Sequence, residues 1–127
     1  MRRQRQRDTS PELATRQVVH SLGLRFRTRN TDLPGSPDLA NRSKKWAVFV
    51  HGCYWHYHEG CPQATLPKRN RDFWLRKLLE NRRRDIRKVQ ELRRLGFSVI
   101  TVWECQTNDT ASLRLRLQRS LLTRLGS

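Results

Sequence analysis

The stretch His51-Gly-Cys-Tyr-Trp-His-Tyr-His-Glu-Gly-Cys61 holds three of the chain's four histidines and two of its three cysteines. Zinc takes thiolate and imidazole donors in tetrahedral sets of four, and Cys53, His58 and Cys61 supply three of them from one tight turn. The remaining cysteine, Cys105, follows the apolar run 97–103 and completes the set, which leaves no thiol unused. A lone cysteine or histidine is more often a small buried residue or a surface side chain. Here the local spacing and the cysteine count agree on a structural zinc site. His51 and His56 are then free for proton chemistry, since an imidazole with an ordinary pKa near ~6.5 can take or give a proton at neutral pH. Tyr54 and Trp55 stand beside them as rings on a stiff, metal-stapled turn.

The chemistry has a polyanion as its natural partner. Lys and Arg number 27 against 11 Asp and Glu, a net charge of +16 over 127 residues, and such an excess repels itself unless an anionic partner compensates. Nucleic acid fits. A membrane surface is the rival polyanion, but no apolar run is long enough to span a bilayer and no signal-peptide core follows the basic start. Three cysteines make an odd count for a disulfide framework, so reduced thiols and a cytoplasmic location are expected.

Cleaving a phosphodiester requires a hard cation at the phosphate, a water made nucleophilic and a proton donor for the leaving oxygen. Asp38, His56 and His51 fill those positions. Mg2+ binds through few protein carboxylates and keeps most of its waters, which suits one aspartate. Standing alone, Asp38 would read as a turn aspartate capping its own backbone.

The elements that position these groups follow from pattern. Residues 1–9 read as a flexible basic arm ahead of a single domain spanning 1–127. Ser10-Pro11-Glu12 begins a helix over 11–22, with Leu13, Ala14, Val18 and Leu22 on one face and Gly23 as its stop. The alternation at 24–27 predicts a half-buried strand, and the turn-rich stretch 30–37 delivers Asp38. A second strand starts at 38–40. Residues 46–50 are apolar without interruption, so they form a central strand buried on both faces that ends at His51. A helix over 72–95 carries Leu75, Leu78, Leu79, Ile86, Val89 and Leu92 at helical spacing, with Gly96 as its cap. Its polar side holds Arg82, Arg83, Arg84, Arg87 and Lys88, read as phosphate contacts that bind any duplex. A last strand at 97–103 brings Cys105 to the zinc loop, and Leu113, Leu117, Leu121 and Leu125 close the chain in an amphipathic helix. The class is α/β, a mixed central sheet flanked by helices.

In order, Leu-Pro-Gly-Ser-Pro-Asp38, Phe49-Val-His51-Gly-Cys-Tyr-Trp-His56, Asp72-Phe-Trp74, the block 81–85 and Val102-Trp-Glu-Cys105 closely resemble the very-short-patch-repair (Vsr) DNA mismatch endonucleases, over about residues 9–105. The resemblance implies a restriction-endonuclease-like fold. It implies an enzyme that nicks duplex DNA 5′ of the thymine in a T:G mispair, with Mg2+ for catalysis and zinc for structure. By position it makes Asp38 the Mg2+ ligand, His56 the base that activates water and His51 the assistant at the phosphate or leaving group. Glu12 matches an acid placed near the catalytic histidine. Cys53, His58, Cys61 and Cys105 fall on the zinc ligands, and Tyr54, Trp55 and Trp74 on rings that wedge into the stack beside the mismatch, where unstacking costs least. Val50 stands where many members have threonine, and a metal contact there would use the backbone carbonyl. Tyr54 replaces a common phenylalanine, and the N-terminal arm is shorter than usual. The implied partners are mismatched duplex DNA and mismatch-repair proteins, with the chain acting as a monomer. Two other readings stay open: a non-catalytic zinc-stapled DNA-binding module, and a restriction-type endonuclease with another substrate.

Overall fold

The computed structural model describes residues 9–122 apart from 55, 57, 59 and 63–65. The expected basic arm, the Trp55 wedge and Leu125 of the closing helix lie outside the described residues. The elements are α1 (Ser10–Ser21), β1 (Leu39–Asn41), β2 (Trp46–His51), α2 (Arg71–Arg94), β3 (Ser98–Trp103), a 3-10 turn (Glu104–Asn108) and α3 (Thr110–Leu117), which widens into a π-helical turn at Gln118–Leu122.

The uninterrupted apolar run becomes β2, the middle strand of a three-stranded sheet ordered β1-β2-β3. β1 pairs antiparallel to it, Leu39 opposite Val48. β3 returns parallel through the α2 crossover, Trp46 opposite Ser98 and His51 opposite Trp103. Successive strand residues face opposite ways, so β2 feeds two cores. Trp46 and Val48 join Leu39, Ile100 and Val102 against α1 and α3, where Val18, Val19, Leu113, Leu117 and Leu121 are buried. Ala47 and Phe49 join Ala40, Phe97 and Leu92 of α2. The same parity sends Val50 to the first core and His51 to the α2 side.

α2 stops where its sequence stops it. Gly96, at φ +92°, lies just past the C-cap Leu95. Its N–H donates to Arg93 O at 3.0 Å and the Phe97 N–H to Leu92 O at 3.1 Å. These are the paired bonds of a Schellman motif, sealed by Phe97 packing in the same core as Leu92.

Three expectations are corrected. The strand expected at 24–27 is reduced to one antiparallel bridge, Arg27 with Ala40, because the three residues of β1 offer little more edge to pair with. Inward and outward positions still alternate there, with Leu24 and Phe26 packed on the first core and Arg25 and Arg27 exposed. On α1, Leu13 is 46% exposed and the buried positions at that end are Glu12 and Thr15, of which Glu12 lines a cleft described below. On α2, Ile86 is 47% exposed, while Leu78 and Leu92 are buried. In the closing helix Leu113, Leu117 and Leu121 are buried as expected. Four-residue steps drift by about 40° along an α-helix, and the wider π turn at its end offsets that drift.

Candidate active site and metal centre

A cleft of about 470 Å³ opens at the C-terminal end of β2, lined among others by Glu12, Arg29, Asp38, His51, His56, Asp85 and Lys88. Asp38 reaches it from the loop before β1. Its backbone N–H donates to Val48 O at 3.0 Å, and its carboxylate Oδ2 accepts the Val50 N–H at 2.6 Å. The loop behind it is pinned by Asn30, 2% exposed, whose Nδ2 donates to Arg27 O and Pro37 O at 2.9 and 3.0 Å. Arg42 donates to Asn30 Oδ1 at 3.0 Å and also grips Asp32. Gly35 is required where this loop meets α2: at φ +75°, a Cβ there would stand 2.9 Å from Lys88 Cβ and 3.1 Å from the Phe49 ring.

Burial pushes Asp38 up to about 6, reinforced by Glu12 and opposed by the Val50 N–H, His56 and Arg16. A carboxylate so costly to ionise fits a divalent cation, which would supply the missing positive charge. His51 stacks on His56 with ring centroids 3.9 Å apart and planes 5° from parallel. Burial first, and then the neighbouring His56, push His51 down to about 4, so its imidazole is neutral at neutral pH. His56 Nδ1 lies 2.6 Å from Asp85 Oδ2. With its Nδ1 proton directed at the carboxylate, His56 keeps an Nε2 lone pair, the arrangement of an oriented general base. The donor atoms of His51, His56 and Asp85 are close enough to hold a metal, but the lone pairs of two parallel rings do not converge on a single ion. Proton transfer suits that trio better.

Asp85 is the site residue whose role sequence reasoning missed, and a signal was present. It stands seven residues after Leu78 and seven before Leu92, both buried. A carboxylate in the apolar register of a helix faces the interior or a site.

Cys53, His58, Cys61 and Cys105 bring one donor atom each to within 4.8 Å of one another. His58 Nδ1 is 3.6 Å from Cys53 Sγ and 3.5 Å from Cys105 Sγ, and none of the cysteines is in a disulfide. The loop folds on its own backbone bonds, His58 N–H to Cys53 O at 2.8 Å and Cys61 N–H to His58 O at 3.1 Å. Burial pushes the Cys53 thiol up to about 12 and raises Cys105 too. Thiols this hard to ionise side by side become thiolates when a soft divalent cation binds them, and sets of three sulfurs and one imidazole suit zinc. The donor set therefore fits.

Trp103, at the end of β3, joins the two centres. Its ring stacks on His58, centroids 4.3 Å apart and planes 6° from parallel, and meets His51 edge-on at 5.4 Å. The Cys/His loop and the stacked histidine pair thus share one row of rings, His58, Trp103, His51, His56. Glu104 adds a tie, accepting the Cys53 N–H at 3.3 Å.

The expected DNA-contact residues are spread wider. Tyr54 is half-buried beside the metal loop. Trp74 is half-buried at the start of α2, edge-on to Phe73 at 5.4 Å, and Phe73 is the more exposed ring at 50%. Along α2, Arg83, Arg84 and Arg87 are exposed, whereas Arg82 and Lys88 lie on the half-buried flanks.

The sequence profile described as DNA mismatch endonuclease Vsr matches residues 1–63. The type II nicking enzyme V.XorIIP of Xanthomonas oryzae pv. oryzae is 44% identical over 121 residues, 95% of this chain and 88% of that protein. The chain belongs to the Vsr family. A second relative, the type II nicking enzyme V.NmeAIP of Neisseria meningitidis, is 41% identical over 113 residues, covering 89% of this chain and 80% of its own. The DNA mismatch endonuclease Vsr of Escherichia coli is 38% identical over 99 residues, 78% of this chain and 63% of that protein. Vsr membership gives the cleft its context, because Asp38 and the two histidines lie within the 1–63 match while Asp85 and Cys105 reach the same sites from beyond it.

Proposed function

We propose that this Vsr-family endodeoxyribonuclease nicks duplex DNA 5′ of the thymine in a T:G mispair, by Mg2+-dependent hydrolysis of one phosphodiester, and so begins very short patch repair. The observation that carries the reading is the convergence of Asp38, the His56–Asp85 pair and His51 on one cleft. It favours an enzyme over a non-catalytic DNA-binding module, since binding alone gives no reason to orient a base or to bury an ionisable carboxylate.

Asp38 and the Val50 carbonyl would hold Mg2+, whose chemistry there is to neutralise the phosphate and the charge that develops on it. His56 takes a proton from the attacking water at Nε2, and Asp85 holds the ring and stabilises the imidazolium that results. His51, neutral and half of the imidazole stack, offers an N–H to a phosphate or leaving-group oxygen. Glu12, buried on α1, lines the same cleft and adds negative charge beside Asp38. Cys53, His58, Cys61 and Cys105 would hold a structural Zn2+ that stiffens the loop carrying His56. Tyr54, Trp55 and Trp74 enter the base stack at the mismatch. Arg82, Arg83, Arg84, Arg87 and Lys88 contact the backbone phosphates.

The test is a nicking assay on end-labelled duplexes carrying each mispair in several sequence contexts, with Mg2+ and then with EDTA. A single nick 5′ of the mispaired thymine, absent in EDTA, is expected. Cleavage that persists in EDTA removes the Mg2+ assignment. Equal cleavage of matched duplex favours a restriction-type activity.

A further inference from the structure

We propose that Arg25, Arg27 and Arg29 form a rail that grips successive phosphates of the strand being cut, on one side of the scissile bond. The choice of strand rests on the nicking reading above; the contact itself does not.

The rail follows from the failed strand. Residues 24–27 alternate half-buried and exposed positions as a strand would, yet among the described residues are joined to the sheet backbone by only the Arg27–Ala40 bridge, Arg27 N–H to Ala40 O at 2.8 Å and the reverse at 3.1 Å. Leu24 and Phe26 pack into the first core and anchor the segment from beneath. Arg25 and Arg27 are therefore turned outward, and Arg29 is exposed as well. Alternate residues of an extended chain stand about 6.6 Å apart, comparable to the step between neighbouring phosphates on one DNA strand. The chain bends at Thr28, and Arg29 lines the catalytic cleft. The row thus leads to the cleft that holds Asp38, His51 and His56, with Lys88 also lining it from α2.

Charge supports the same occupant. Three guanidiniums within five residues repel one another, and among the described residues none of them is in an ion pair. Asp32, the carboxylate near enough to feel Arg27, is already held by Arg42. A solvated basic face requires neither an apolar anchor beneath it nor continuity with a cleft. The row is one residue wide, which fits one strand's phosphates and not a protein surface.

Binding is measured without added Mg2+ by fluorescence anisotropy across a salt series, for the intact chain and for the Arg25→Ala/Arg27→Ala double variant. The slope of log K against log salt should fall by about 1.8, two phosphate contacts at about 0.9 each. Neutral methylphosphonates then replace two neighbouring phosphates at a time, on either side of the scissile bond and on the uncut strand. On one side of the cut strand the replacement should weaken the intact chain and cost the variant nothing further, whereas elsewhere it costs both alike. An Arg25→Lys/Arg27→Lys variant should recover the slope, which separates lost charge from lost fold. An unchanged slope, or coupling to the uncut strand only, overturns the rail. Nicking without coupling sinks the rail alone, and coupling on duplexes that are never nicked sinks the nicking reading while the contact stands.

Discussion

Asp38 and Asp85 are both carboxylates in one cleft, and their surroundings give them different work. Asp38 is raised to about 6 chiefly by burial, so folding makes it hold its proton more tightly than the unfolded chain does. The sign follows: Asp38 costs no stability below pH ~4, where both states are protonated, and its cost grows as pH rises through 6. Without added Mg2+, Asp38→Asn should therefore melt above the parent at pH 8, by on the order of 2 kcal/mol, with the gap closing toward pH 4. Mg2+ should raise the melting point of the parent and not of the variant. Thermal scans at several pH values check both, and a gap independent of pH contradicts a buried ionised carboxylate. On mismatched duplex the same variant should lose nicking on the order of 10³-fold, equivalent to several kcal/mol, while binding as well as the parent or slightly better. Asp85 is different, because it meets an imidazole at 2.6 Å. Asp85→Asn leaves the ring in place but removes the charge that stabilises its imidazolium, so single-turnover nicking should slow by roughly 10² with little change in Kd. Equal nicking rates would leave His56 without an oriented-base role.

At the scale of elements, the sequence is most legible where one physical rule acts alone. The apolar run at 46–50 has to be a central strand, and Gly96 has to end α2, because burial and a left-handed cap leave few alternatives. It is least legible where a site overrides the pattern. Leu13 has the spacing of a core residue, yet Glu12 and Thr15 take the inward face because α1 overlooks the cleft. The alternation at 24–27 reports the direction of side chains but not whether an edge exists to pair with. The four metal donors are legible because three are local and the last is the one cysteine left. The row of rings through Trp103 is not, since it depends on β3 lying parallel to β2 with His51 opposite Trp103. That row leads to a prediction about β3. Cys105→Ala should bind less zinc and melt lower by roughly 10 °C or more, because structural zinc contributes folding free energy directly. Trp103→Ala should keep its zinc but slow nicking more than it weakens binding, and Trp103→Phe should recover much of the rate by restoring a ring between His58 and His51. Metal analysis beside single-turnover kinetics decides it. If the alanine variant loses zinc in proportion to activity, the ring only supports the loop.

Across the whole molecule, a net charge of +16 and the candidate active cleft pose a question of division of labour, because charge attracts every duplex while a nick is wanted at one. Arg83, Arg84 and Arg87 stand exposed on α2, and the phosphate contacts proposed for them would contribute affinity that carries no base information. Reversing Arg83 and Arg87 should weaken matched and T:G duplexes by the same factor, and should flatten the salt dependence by about 0.9 for each phosphate no longer neutralised. The rings proposed as a wedge would act oppositely. Inserting one requires unstacking a base step, and that cost is lowest at a mispair, so the gain from the ring survives there and is cancelled in matched DNA. Trp55→Ala should accordingly cost ~1 to 3 kcal/mol on the T:G duplex, roughly a fivefold to 150-fold loss of preference, with little change on the matched one. Phe73, half exposed beside Trp74, provides an internal comparison. If the selectivity ring sits on α2, the loss follows Phe73→Ala or Trp74→Ala instead. Titrating both duplexes against the Trp55, Phe73 and Trp74 variants and the reversed-charge variant over a salt series separates these outcomes. A Trp55→Ala variant that weakens both duplexes equally, with an altered salt slope, removes the wedge from the metal loop.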